Sequence, residues 1–166
     1  MVEANSSTRT RGMAFDWNLQ AKQPAIIRAR DYWRLRCGDR PMPNRADLEP
    51  AAMRSFTEHV GLVEIRRNNG ADVDYFIRRA GTRWEAVFGP MTGRLIQEFL
   101  PPEIETRWRQ VFDAVCKARA PLRVTTDILF QNKSWLQAEM FLGPLGDAEV
   151  AMLFLAFTSW TRDIGA

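Results

Sequence analysis

Few side chains in this 166-residue sequence are of the kinds that move protons, attack carbonyls or hold metals. His59 is the only histidine. As a general base it would need a carboxylate to orient it, and nothing in the sequence places one behind it. Cys37 and Cys116 show neither CxxC nor metal-ligand spacing, and with a single histidine and no HExxH no metal is expected. There is no P-loop, GxGxxG or GxSxG pattern. Asp127 and Glu139 fall on neighbouring predicted strands. Two readings stand: an acid–base pair with separated pKa values, or edge charges, with Glu139 bonded to an arginine or a backbone amide.

Large aromatics are the more informative group. Trp84, Phe88, Phe99, Trp108, Phe112, Trp135, Phe141 and Phe154 are expected to converge between helices and sheet. They describe either a filled core or an apolar ligand cavity with few polar handles. Trp84, Phe88, Phe99, Trp108, Phe112 and Trp135, with Glu139, are the candidate lining. No catalytic residue and no cofactor is assigned.

The elements that must position these residues centre on 81–120. Thr82 and Glu85 form a T-x-x-E capping box, Trp84, Val87 and Phe88 follow, and Gly89-Pro90 stops the helix. Thr92 is a candidate N-cap for a second helix carrying Leu95, Ile96 and Phe99. Pro101-Pro102 opens a long third helix to Ala120, with Ile104, Trp108, Val111, Phe112 and Val115 on one stripe. Before these helices, 60–67 and 73–78 alternate about Asn68-Asn69-Gly70, which predicts a β-hairpin. After them come strands at 122–130, 135–142 and 150–158, joined by turns at 131–134 and 143–147. Val150 to Thr158 is apolar throughout, as a central strand covered on both faces would be.

The N-terminal part reads differently. Residues 1–40 hold eight Lys and Arg against four Asp and Glu, so the net charge of +3 resides there. Contact with nucleic acid, anionic lipid or an acidic partner is one reading, and a solubilising arm is the other. Residues 1–23 are expected as a flexible tail, 24–58 as a helix and Pro-rich connector, and 59–160 as the domain. Pro24 to Cys37 forms an amphipathic helix whose apolar face includes Ile26, Ala29, Tyr32 and Trp33. That face needs a surface, either its own domain's sheet or a second protomer; a homodimer through these residues is the expectation. No apolar run approaches the ~20 residues of a membrane helix. No signal-peptide core stands at the N-terminus, and a cytoplasmic protein with reduced thiols is expected.

The order β-β-α-α-α-β-β-β after an N-terminal helix resembles a PAS domain. Five stretches are similar to motifs of a group of bacterial stand-alone PAS-like proteins. They are Tyr32-Trp33-Arg34-Leu35-Arg36-Cys37-Gly38 (Y-W-x-x-L-R-x-G), Pro43 to Pro50 (P-x-R-x-D-x-x-P), Phe76 to Thr82 (ending in G-T), Phe88 to Gly93 (F-G…T-G) and Glu139 to Leu145 (E-x-x-L…P-L). The resemblance covers about residues 25–158. It implies an α+β fold with a five-stranded antiparallel sheet in the order 2-1-5-4-3, helices on one face, and a cavity between them. It also implies a role in sensing or signal-linked protein interaction, with no catalysis. His59 is misplaced for a haem ligand on the long helix, and the Asn-Cys-Arg-Phe setting of flavin photosensing is absent.

The expected function is therefore a bacterial signalling module acting on a separate protein partner or as a homodimer, with a small apolar molecule as possible ligand. A second reading is a small enzyme with a helix-covered curved sheet and an interior acid–base pair; the hairpin before the helices favours PAS. Nucleic-acid binding through the basic arm lacks a helix-turn-helix or aromatic strand motif, and is not expected.

Overall fold

The computed structural model describes residues 7–10, 12–68, 72–130 and 134–161. One antiparallel sheet of seven strands carries the fold. The strands are β1 (Ser7–Thr10), β2 (Met13–Asp16), β3 (Val60–Arg67), β4 (Val73–Ala80), β5 (Leu122–Phe130), β6 (Ser134–Gly146) and β7 (Val150–Thr161). The spatial order is β1-β2-β5-β6-β7-β3-β4. The five strands read from the sequence take the expected 2-1-5-4-3 order. The two extra strands correct the reading of residues 1–23 as a flexible tail. Ala14–Asp16 pair with Arg123–Thr125, so the N-terminal hairpin covers the edge that β5 would otherwise leave open.

Strand β7 lies between β6 and β3, and its register divides the sheet into two faces. Phe157 stacks on Trp84 with centroids 4.7 Å apart, on the side of helices α2 (Thr82–Phe88), α3 (Ile96–Phe99) and α4 (Pro102–Ala118). Phe154 meets Tyr32 and Phe141 on the other side, which is covered by the N-terminal helix α1 (Pro24–Cys37). Leu153 to Phe157 are all at most 1% exposed, as burial on both faces requires.

Helix α1 docks on its own sheet. Ile26, Ala29 and Trp33 are buried within the chain, and the Tyr32 hydroxyl accepts a bond from the Glu49 amide (2.7 Å). This corrects the assignment of Ile26, Ala29, Tyr32 and Trp33 to a dimer interface. The physical reason is a notch in β6: a Cβ at Gly143 would lie 2.4 Å from Trp33 Cδ1, so only glycine admits the indole. Trp33 Nε1 then donates to the Pro144 carbonyl (3.0 Å). Two of the sequence motifs, Tyr32-Trp33 and Gly143-Pro144, are thus the two halves of one contact.

Glu139 anchors the start of the same helix. It is fully buried, and its carboxylate accepts from the amides of Lys22 (2.9 Å) and Gln23 (2.8 Å) and from Arg123 Nε (2.6 Å). Arg123 also reaches Asp16 (3.1 Å), which itself accepts from the amides of Asn18 and Gln20. A carboxylate at a helix N-terminus is favoured by the helix dipole and by free N–H groups.

Two local signals resolve differently from expectation. The Thr82–Glu85 box does not form: Gly81 is the N-cap, and the Glu85 carboxylate accepts from the Met91 amide instead (3.3 Å). Gly81 is held there because its amide donates to Val60 O and a Cβ would lie 2.3 Å from Glu58 O. Thr92 caps no helix; its hydroxyl accepts from the Ala80 amide (3.2 Å), and the short helix begins at Ile96. The turn residues Asn69-Gly70 and 131–133 lie outside the described residues.

The Gly143 notch gives a direct test. Gly143→Ala is expected to lower stability by about 1–3 kcal/mol, the cost of overpacking a filled core, read as a lower urea midpoint. An unchanged midpoint would show that the indole does not sit there.

Candidate functional site

On the helical face the aromatic residues form a connected cluster about Trp108. Its ring lies 4.8 Å from Phe88, 5.8 Å from both Trp84 and Phe112, and 6.0 Å from Phe99. Trp84 Nε1 donates to the His59 carbonyl (2.8 Å), so this ring presents only carbon to its neighbours. Helix α4 places Trp108, Val111, Phe112 and Val115 on its inner face because they recur at helical spacing.

The cluster does not fill the space up to β5. A cavity of about 710 Å³ lies between Trp84, Phe88, Trp108 and Phe112 on one side and Ile128 and Met140 on the other. Met13, on the N-terminal hairpin, completes the wall, and Glu103, Arg107, Thr126 and Asp127 supply polar atoms. Phe99 lines an adjoining hollow of about 510 Å³ that shares Phe88, Pro101, Ile104 and Ile128 with it.

Of the residues singled out by sequence, Trp84, Phe88, Trp108 and Phe112 share this cavity, and Phe99 is next to it. Trp135 belongs to β6, and its side chain lies outside the described residues. Glu139 is placed on the opposite face, in the anchor of α1, which corrects its place in the lining. Asp127 is diagonal to Glu139, since Thr125 is the residue opposite it. The bonds from Arg123 and two amides give Glu139 the surroundings of a structural anion, the second of the two readings above. Met13, Thr126, Ile128 and Met140 were missed as lining. Strand alternation groups Thr126 with Ile128, but it does not say which group faces the helices.

His59 does not line the cavity. Its Nδ1 lies 2.8 Å from the Phe157 carbonyl and its Nε2 3.5 Å from the surface carboxylate of Glu58. Among the described residues no group of three or more His, Cys, Asp or Glu could hold a metal. On α4, Cys116 neighbours the bonded pair Tyr75 and Asp113. Burial pushes the Cys116 thiol up to about 11, only partly offset by a hydrogen bond with Tyr75. Burial, then the bond to Asp113, also raises the Tyr75 phenol. A thiol with this pKa is protonated at neutral pH and a poor nucleophile.

Alkylation of Cys116 by iodoacetamide at pH 8, followed by peptide mapping, is therefore expected to run roughly a hundredfold slower than for a thiol at its ordinary pKa. The rate should rise with pH until about 11. A rate equal to that of a free thiol would contradict the burial of this group.

No curated protein matches this chain. Distant similarity to solved structures is found. An RNA-binding light-oxygen-voltage receptor is 15% identical over 72% of this chain and 36% of that one, with a TM-score of 0.44. The present chain thus spans little more than a third of that receptor's length. A variant of the RsLOV protein is 12% identical over 88% of this chain and 73% of that one, also at 0.44. A family model described as a PAS domain matches residues 21–156, from just before α1 to within β7. With that match spanning most of the sequence, and with a sheet of the expected order, the chain belongs to the PAS domain family.

Proposed function

We propose that this protein is a non-catalytic PAS sensory module that takes up a small apolar molecule between α4 and β5 and passes the change to a signalling protein partner. One observation carries this reading: the cavity of about 710 Å³ bounded by aromatic and aliphatic side chains. Pockets of roughly 300–1,000 Å³ with apolar walls and a few polar groups are of the size that small ligands occupy. Glu139, one half of the acid–base pair read from the sequence, is committed to Arg123 and the amides before α1, which supports binding over catalysis. Action in a bacterial cytoplasm fits the helices, none of which among the described residues is long and apolar enough to cross a membrane.

The cavity wall also suggests how occupancy is transmitted. Met13 ties the N-terminal hairpin to the ligand space, and Asp16 of the same hairpin contacts Arg123. A ligand that presses on Met13 therefore acts on the segment leading into α1.

N-phenyl-1-naphthylamine, a neutral apolar dye, tests the proposal. Saturable 1:1 fluorescence enhancement is expected, with binding weakened at least about tenfold by Ile128→Trp, which fills the cavity. Absence of saturable binding, or equal binding by a folded Ile128→Trp variant, would overturn it.

A further inference from the structure

On the α1 side of the sheet, a second pocket of about 510 Å³ lies between β3–β4 and the connector, where 3-10 turns span Arg45–Asp47, Pro50–Met53 and Thr57–His59. Arg45, Arg78 and Arg79 line it above an apolar floor that includes Leu48, Met53 and Leu62. No carboxylate is among its described lining residues. We propose that this pocket binds the phosphate group of a small molecule whose less polar body rests on that floor.

Convergence of the three arginines is a product of backbone geometry. In a regular strand, consecutive residues point to opposite faces, so Arg78 and Arg79 would part. The β3–β4 register shifts here: Leu62 pairs with Arg79 and Val63 with Ile77, leaving Arg78 without a partner residue. Such a bulge re-aims a side chain, and both arginines line the one pocket. Arg45 enters from the connector, where Asp47 closes the turn by accepting from the Asn44 amide (2.8 Å).

Of the nearby carboxylates, only Glu64 touches one of these three arginines. Asp47 pairs with Arg40 (2.7 Å) and Glu49 is 3.9 Å from Arg36. Glu64 is shared between Arg66 (3.1 Å) and Arg78 (3.7 Å), so it partly offsets one of the three charges. Glu58 lies beside Arg83 and His59. Three arginines lining one open pocket match a group with several acceptor oxygens and more than one negative charge. A terminal phosphate meets that demand better than a single carboxylate. Guanidinium planes also stack on flat rings, which suits a nucleotide-like body.

The site unites sequence features the helical cavity leaves unused. Arg45 comes from the Pro43–Pro50 motif, and Arg78 and Arg79 from the Phe76–Thr82 motif. Gly81 brings them together, because only glycine lets the end of β4 meet the carbonyls of Thr57 and Glu58.

Isothermal titration of the full chain with ADP, with pyrophosphate and with phosphatidic acid vesicles tests the proposal. Saturable binding of ADP or pyrophosphate is expected. It should weaken at least about tenfold in Arg45→Gln and in Arg79→Gln, because each removes a charge-assisted contact. Arg34→Gln, an exposed change on α1, should leave it unaltered. Binding confined to the vesicles with the same arginine dependence would assign the phosphate to a lipid headgroup and support the site. No saturable binding of any of the three, or an equal loss in Arg34→Gln, would overturn it. The pocket is on the opposite face from the dye-binding cavity, so either result is independent of the apolar-ligand reading.

Discussion

Strand β7 carries apolar side chains on both faces, and a sheet whose middle strand lacks a polar face must be covered twice. On one side α2 and α4 provide the cover through Trp84 and Trp108. On the other side the chain supplies it from its own N-terminal helix. Phe154 and Phe141 would otherwise stand in water. The seat for that helix is built into β6, where Gly143 makes room for Trp33 and Glu139 receives the amides that precede the first turn. Removing either contact exposes large aromatic surface, at about 25 cal/mol per Å².

This double cover leaves two different hollows, one on each face of the sheet. Between sheet and α4 the hollow is walled mainly by rings and aliphatic chains. On the α1 side, the connector stops short of closing over β3 and β4, and what remains is an arginine-lined hollow. The N-terminal hairpin links the apolar hollow to the anchor of α1, since Met13 lines the one and Asp16 contacts Arg123 in the other.

Much of the fold was legible because periodicity and punctuation agree. Pro24 and Gly38 bracket α1, and Gly89-Pro90 ends α2 where the sequence places its stop. The apolar run from Val150 made β7 central. The N-terminal hairpin was not legible: its strands are only four residues long, the first is wholly polar, and β2 pairs on an edge that β5 would otherwise leave open. Glu139 was legible as a residue of interest, though not in its role. Alternation groups it with Phe141 and Gly143 on one face, but only the tertiary structure says that this face meets α1. The same holds for Arg78, whose direction depends on a bulge that leaves no mark in the hydrophobic pattern.

The account stands on α1 being part of its own domain. Native-state hydrogen exchange on the full chain, measured at two widely separated protein concentrations, tests this most directly. Amides of Ile27 to Cys37 should be protected in the dilute monomer nearly as well as those of β7, and equally so at both concentrations. Exchange of these amides at the rate of an unstructured peptide when dilute, with protection appearing only as concentration rises, would contradict it and assign the helix to a second chain.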